Sequence, residues 1–327
     1  MYKTDFFRVE IFKESDGKVR FFDLSQFIQS LSWKSSLSQA ATVLTFDIQS
    51  KVSSGQKIDV SVGTKLKLSY GSAAIFKAVI TNVSKNADGA LAITASDYMF
   101  YLTKNMTTYI AEDISATTLV SDVLSAFKIP FKNLPGLNET IKQIYRDMTI
   151  WNIVQAVMKN EKNINGSSWH MRYAEDQVEF IELGSQRPKW YLDSQRLRLS
   201  GTSVKNMNGL YTSFVVRGKD DKVLRSDTDQ ELADKYGSMV YQVTDEEADQ
   251  VKVSEMLSTL KKSMTRLEET FSLECLGNHL MMCGDRIHID DKELDESGTY
   301  EVVNLSHSVV SGLFKSQIQL RRCHDEG

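Results

Sequence analysis

Short runs in which apolar and polar residues alternate fill much of this chain, and a two-residue period is that of a half-buried β-strand. Phe7, Val9 and Ile11 alternate with polar neighbours, SDG at 15–17 supplies turn chemistry, and Val19 and Phe21 resume the alternation. This is a hairpin signal. Leu44-Phe46-Ile48, Leu66-Leu68-Tyr70 and Phe76-Ala78-Ile80 continue the pattern, and NADG at 86–89 turns the chain into Leu91-Ile93. Short strands separated by turns predict a small antiparallel barrel or sandwich over about the first hundred residues.

The period changes after ASDYMFYLTKN. In DISATTLVSDVLSAF, Leu119, Val120, Val123, Leu124 and Phe127 recur at helical spacing, with Ser115 placed as N-cap. IPFKNLPGL is a connector, and a second helix is predicted from near Thr149, with Trp151, Val154, Val157 and Met158 on one face. A hairpin follows: Trp169, Met171 and Tyr173 alternate, Glu175-Asp176 turns, and Val178 and Phe180 return. Residues 105–182 therefore read as a small α/β insert.

Strands resume in LRLSGTSVKNMNGLYTSFVVRG. The stretch DEEADQVKVSEMLSTLKKSMTRLEE is the clearest helix, because Val253, Leu257, Leu260, Met264 and Leu267 form a heptad seam. So short a seam either covers its own domain or meets another subunit, and both remain open at this point. Strand patterns at Ile287-Ile289, Tyr300-Val302 and Phe314 to Leu320 finish the chain.

The expected fold is mainly β with an α+β insert. Two related small antiparallel β-barrel domains, 1–104 and 183–327, flank the insert at 105–182, and the second carries the long helix over 246–268 ahead of its last strands. The relation rests on a weak internal repeat. GTKLKLSY (63–70) and GDRIHIDD (284–291) share Gly, polar, basic, apolar, polar, apolar, and each precedes an aromatic-led strand, FKAVITNVS (76–84) or YEVVNLS (300–306). Chance similarity between β-meanders is the alternative.

Composition narrows the function classes. A chain of 327 residues exceeds what one core usually holds, so more than one domain is expected. A net charge of −4 gives no global pull toward nucleic acid or an anionic membrane. The N-terminal MYKTDFFRVEIFK lacks the unbroken apolar core of a signal peptide, and no apolar window reaches the length of a membrane-spanning helix. Cys275, Cys283 and Cys323 are odd in number, widely spread and without a CxxC, which fits a reducing compartment.

Catalytic motifs are scarce. No phosphate-binding GK[ST] loop, strand-borne GxGxxG, HExxH or GxSxG is present. The acidic run DDKELDESG (290–298) lacks the ligand order of a calcium loop and reads as a solvated turn. HLMMCGDRIHIDD (279–291) gathers metal-binding side chains, and His288 and Asp290 fall on one strand face. No metal-ligand spacing of known type covers His279, Cys283, His288 and Asp290 together. The simpler reading is a strand with one wet face, in which Gly284, Ile287 and Ile289 carry the information. No catalytic, cofactor-binding or metal-binding residue is assigned, and no cofactor is expected.

Several pieces follow one another in a recognisable order: ITASDYMFYLTKN with Asp97 and Leu102, ISATTLVSDVLSAFKIP, and DMTIWNIVQAVMKN with SSWHMRYAEDQVEFIELG. KYG (235–237) before the long helix and GDRIHI…SGTYEVVNLSHSVVSGLFKSQIQL continue the order. Together they carry a resemblance to the late-control-D-like hub proteins of phage tail baseplates, in the versions found in contractile tails, tail-like bacteriocins and defective prophages. The resemblance implies a structural, non-enzymatic homotrimer in which two barrels per subunit make a ring of six. Such a ring joins a hexameric tail tube to a trimeric spike. The implied partners are the chain itself, the tube or tube-initiator protein, the spike, and the wedge and tape-measure proteins, with no nucleic-acid specificity and no membrane insertion. Assembly is expected in the bacterial cytoplasm and final residence at the baseplate. No separate lytic domain is expected, since the chain ends soon after its last strand pattern. A cell-wall-binding or lytic tail protein is the alternative, with four tryptophans as stacking surface; a metal-dependent enzyme built on the 279–291 cluster is a third.

Overall fold

The structure, a computed structural model, describes residues 7–15, 18–49, 60–87, 89–137, 139–185, 187–193, 198–245, 249–310 and 312–323. Residues 16–17 of the SDG turn, Asp88 of the NADG turn and residues 246–248 of the expected long helix lie outside the described residues.

The alternating runs become strands whose apolar positions face inward. The first β-unit comprises β1 (Phe7–Ser15), β2 (Lys18–Asp23), β3 (Ile28–Ser36), β4 (Val43–Gln49), β5 (Lys65–Tyr70), β6 (Ala73–Lys85) and β7 (Ala90–Asp97). Val9, Ile11, Leu44, Phe46, Ile48, Leu66, Leu68, Ile80 and Ile93 are all buried. Strand β3 was not anticipated, because only Leu31 and Trp33 of SLSWKSS mark its inner face and the remaining positions are polar.

The insert follows: β8 (Met106–Ser115), α1 (Ala116–Ala126), β9 (Phe131–Lys132), β10 (Thr140–Thr149), α2 (Ile150–Asn165), β11 (Ser168–Ala174) and β12 (Gln177–Leu183). Ser115 caps α1 as expected, its hydroxyl accepting from Thr118 N at 3.1 Å, and Thr149 caps α2 in the same way. The antiparallel ribbon of β8 and β10 is new. Two register shifts, at Ile141/Gln143 and Tyr145/Met148, insert extra residues and destroy the alternation by which a strand is read.

The last part contains β13 (Trp190–Asp193), β14 (Arg198–Asn206), β15 (Ser213–Arg217), β16 (Val223–Thr228), α3 (Gln230–Tyr236), β17 (Val240–Thr244) and α4 (Gln250–Met264). It ends with β18 (Glu268–Leu276), β19 (Arg286–Asp291), β20 (Glu296–Val310) and β21 (Leu313–Arg322). The long helix is shorter than the 246–268 expected. Asp249 caps its start by accepting from Lys252 N at 2.8 Å, and Glu268 already belongs to β18, where pairing with β14 takes over the backbone. Its seam is satisfied within the chain. Val253, Leu257 and Leu260 are buried with Phe214, Val216 and Val243 of a small sheet ordered β16-β15-β17.

One thirteen-stranded sheet runs through both ends of the chain among the described residues. It contains the order β3-β4-β7-β6-β5-β1 in the first half and, with β19 and β13 branching off at β20, the order β14-β18-β21-β20-β19-β13 in the second. The two orders match strand for strand, except that β1 lies antiparallel to β5 whereas β13 lies parallel to β19. Three cores result. The first joins the first unit to the insert, the second fills the second unit, and the third lies under α4.

Candidate functional site

The halves meet where β3 pairs antiparallel with the outer part of β20, from Ser36 opposite Asn304 to Leu31 opposite Val309. Backbone pairing holds the contact, and an aromatic cluster seals it. Trp33 stacks on Phe314 at 5.6 Å and lies 4.7 Å from the His307 ring, while Phe7 packs edge-on against Phe314 at 4.8 Å. The Cys283 thiol sits 3.2 Å from the Ser35 hydroxyl across the same junction, and burial pushes its pKa up to about 12. It is an inert core thiol rather than a nucleophile.

The repeat seen in the sequence has a backbone counterpart. Gly63 N donates to Ile80 O at 2.8 Å and Ile80 N donates to Thr64 O at 2.9 Å. Gly284 N donates to Val302 O at 2.8 Å and Val302 N donates to Asp285 O at 2.9 Å. Both glycines are left-handed, with φ of +85° and +83°. The next step also matches: β6 slips register against β7 between Ile80 and Asn82, and β20 slips against β21 between Val302 and Asn304. Matching turns, bonds and bulges at matching places are more than two unrelated meanders would share.

Asp285 organises the second half of this site. Its carboxylate is buried and accepts from Arg172 Nη1 at 3.0 Å, Trp190 Nε1 at 3.1 Å and Met282 N at 3.1 Å, with Lys189 Nζ at 3.4 Å. Arg172 comes from the insert and also pairs with Glu179 at 2.7 Å. The network thus ties the insert to the second unit. Nothing in the sequence signals its long-range partners Arg172 and Trp190, which lie 113 and 95 positions away.

The residues with metal-binding side chains at 279–291 do not converge. His279 stacks on Tyr70 at 4.1 Å, His288 stacks on Tyr191 at 5.4 Å, and Cys283 turns to Ser35. No group of three or more His, Cys, Asp or Glu suited to a metal occurs among the described residues. Ile287 and Ile289 are fully buried in the second core. A serine–histidine pair does occur, with His307 Nδ1 2.8 Å from Ser316 Oγ. Ser316 is completely buried, however, and burial lowers the His307 pKa to about 4. That pair braces the junction and is closed to a substrate. Asp97 likewise works structurally: it accepts from Thr42 N and Met99 N and starts the 98–103 turn, while Leu102 fills the first core.

Exposed apolar residues mark the surface. The β8–β10 ribbon presents Met106, Ile110 and Ile144, with Ile110 directly opposite Ile144. Strand β14 presents Leu199 and Val204, with Met207 just beyond it. No helix among the described residues is long and apolar enough to cross a membrane.

A family profile described as YQBQ-like matches residues 31–321, nearly the whole of this architecture. The chain belongs to the YQBQ-like family. It is 23% identical over 221 residues to the phage-like element PBSX protein XkdQ of Bacillus subtilis, covering 66% of this chain and 67% of that protein. Its fold matches the tail protein of Neisseria meningitidis MC58 with a TM-score of 0.70 at 12% identity, over 97% of this chain and 96% of that one. It also matches the Escherichia coli c3393 protein, with a TM-score of 0.57 at 11% identity over 90% of this chain and 73% of that one. That protein is described as a component of the type VI secretion system with structural similarity to the T4 bacteriophage tail proteins gp27 and gp5. The fold of this YQBQ-like chain is therefore that of phage-tail proteins.

Proposed function

We propose that this chain is the structural hub of a contractile phage-tail baseplate or a related tail-like particle. Three copies form a closed ring that joins the tail tube to the spike. The observation that carries the reading is the duplication: two β-units with the same strand order, the same paired glycine bonds and the same bulge stand side by side in one chain. Three such chains present six similar units, which suits a threefold spike on one side and a sixfold tube on the other. Contacts that repeat head to tail either close into a ring or run on as filaments, and a hub must close. Kinship with XkdQ and the tail-protein fold support the same conclusion.

On this reading the protein is not an enzyme and needs no cofactor. Its partners are its own copies, the tube or tube initiator, the spike, and the wedge and tape-measure proteins. It assembles in the bacterial cytoplasm and remains at the baseplate of the particle. The division into 1–104, 105–182 and 183–327 belongs to the same proposal, with the insert as the elaboration between two ring-forming units.

Native mass spectrometry of the purified chain tests the ring. The expected species has three times the 37.0 kDa chain mass. A strict monomer at the highest soluble concentration would overturn the proposal.

A further inference from the structure

The contact between the two β-units has an unfilled twin. At the filled contact, β3 of the first unit pairs with β20 of the second, on the stretch of β20 that lies beyond its pairing with β19. Each strand has a counterpart in the other unit. Strand β6 corresponds to β20, because the Gly63–Ile80 and Gly284–Val302 bonds and the following bulges align Asn82 with Asn304. Strand β3 corresponds to β14. Leu31 pairs with Phe46, which pairs with Ile93; Gly201 pairs with Leu273, which pairs with Ile318. Ile93 and Ile318 hold equivalent places beside the matched bulges.

Both counterparts are open at the corresponding edge. Strand β14 has β18 on one side and no strand on the other among the described residues. Strand β6 pairs with β5 only as far as Val79, so from Thr81 to Lys85 it has β7 on one side and no strand on the other among the described residues. We infer that the β14 edge of one copy of this chain pairs antiparallel with the outer stretch of β6 in a second copy, repeating between subunits the β3–β20 contact made within each. The operation that carries the first unit onto the second, applied again, carries the second unit onto the first unit of the next copy.

Transferring the register of the filled contact sets the new one. Ser36 opposite Asn304 becomes Asn206 opposite Asn82, and Lys34 opposite Ser306 becomes Val204 opposite Ser84. The surface agrees. Val204, which this register sets opposite Ser84, is 45% exposed, and an open edge strand with an exposed apolar side chain is a template for adding another chain. The inference rests on the ring proposed above and specifies its seam.

Cysteine cross-linking of the full chain tests it, in a Cys323→Ala background because Cys275 and Cys283 are buried. Directly opposite residues of an antiparallel pair lie about 4.5–5.5 Å apart at Cα, within reach of a disulfide. Residues two positions off register do not. The pair Ser84→Cys/Val204→Cys, and independently Asn82→Cys/Asn206→Cys, is expected to give covalent dimers and trimers on mild oxidation. The yield should exceed at least fivefold that of the shifted pair Ser84→Cys/Thr202→Cys or of any single cysteine. Native mass spectrometry of the unoxidised variants is read alongside. A trimer with no preference for the in-register pairs overturns the edge pairing and leaves the ring standing, whereas a monomer without cross-links overturns both.

Discussion

Arg172 reaches across from the insert to Asp285 in the second β-unit, its Nη1 3.0 Å from the carboxylate Oδ1. The carboxylate is 1% exposed, so removing it leaves the guanidinium and the Trp190 indole N–H without this acceptor. Breaking a buried pair from one side costs about 3–5 kcal/mol, and Glu179 still holds Arg172, so Asp285→Ala is expected near the lower figure. Urea unfolding measures it. A loss below about 1 kcal/mol, the level of a surface ion pair, would show that the network is not a structural tie.

The two repeat glycines carry different burdens despite nearly equal φ. A Cβ at Gly63 meets nothing within 4 Å, while one at Gly284 falls 2.3 Å from Ile181 Cδ1. Gly63→Ala is expected to cost about 1–2 kcal/mol for the left-handed backbone alone. Gly284→Ala adds overpacking of about 1–3 kcal/mol, read as a lower midpoint of thermal unfolding. Equal losses at the two positions would contradict the packing described.

Acid is expected to loosen the junction. Burial lowers the pKa of His307 to about 4 in the folded chain, below its ordinary 6.5, so the unfolded chain binds the proton first as pH falls. The contribution is whole above pH 6.5 and is lost on descending through the interval from 6.5 to about 4, at roughly 1.4 kcal/mol per pH unit. His170, lowered to about 3 by burial and then by nearby Arg172, acts in the same direction. His307→Leu is expected to flatten the acid limb of stability against pH, measured by denaturant unfolding from pH 7 to 4.5. An unchanged slope would rule out His307 as a contributor.

The heptad seam is core. Leu257→Ala should cost about 2–5 kcal/mol through the cavity it leaves under Phe214 and Val243. The oligomeric mass measured by native mass spectrometry should not change. Loss of the oligomer with no loss of stability would return the seam to an intersubunit role.

The 279–291 residues should not hold metal. One equivalent of zinc, or its removal with chelator, is expected to leave the melting temperature unchanged, because His279 and His288 each stack on a different tyrosine. A rise of several degrees with zinc that His288→Ala abolishes would reinstate the metal reading.

What the sequence determined by itself is the inventory of buried faces. Alternation placed Val9, Phe46, Leu68 and Ile289 inward, helical spacing placed Leu119, Val154 and Leu257, and the recurrence of GTKLKL as GDRIHI announced two related units. Such patterns report which side of an element leaves water, since that is a property of its own residues. Tertiary structure decided which edges pair and which distant side chains meet. Strand β3 joins β20 through backbone groups that every residue carries, so little in SLSWKSS distinguishes that partner. Strands β8 and β10 hide behind their bulges, and Asp285 meets Arg172 across 113 positions. HLMMCGDRIHIDD shows the division within thirteen residues. Its isoleucines were legible because burial follows their own period, whereas its histidines found their tyrosines only once the sheet had brought Tyr70 and Tyr191 beside them.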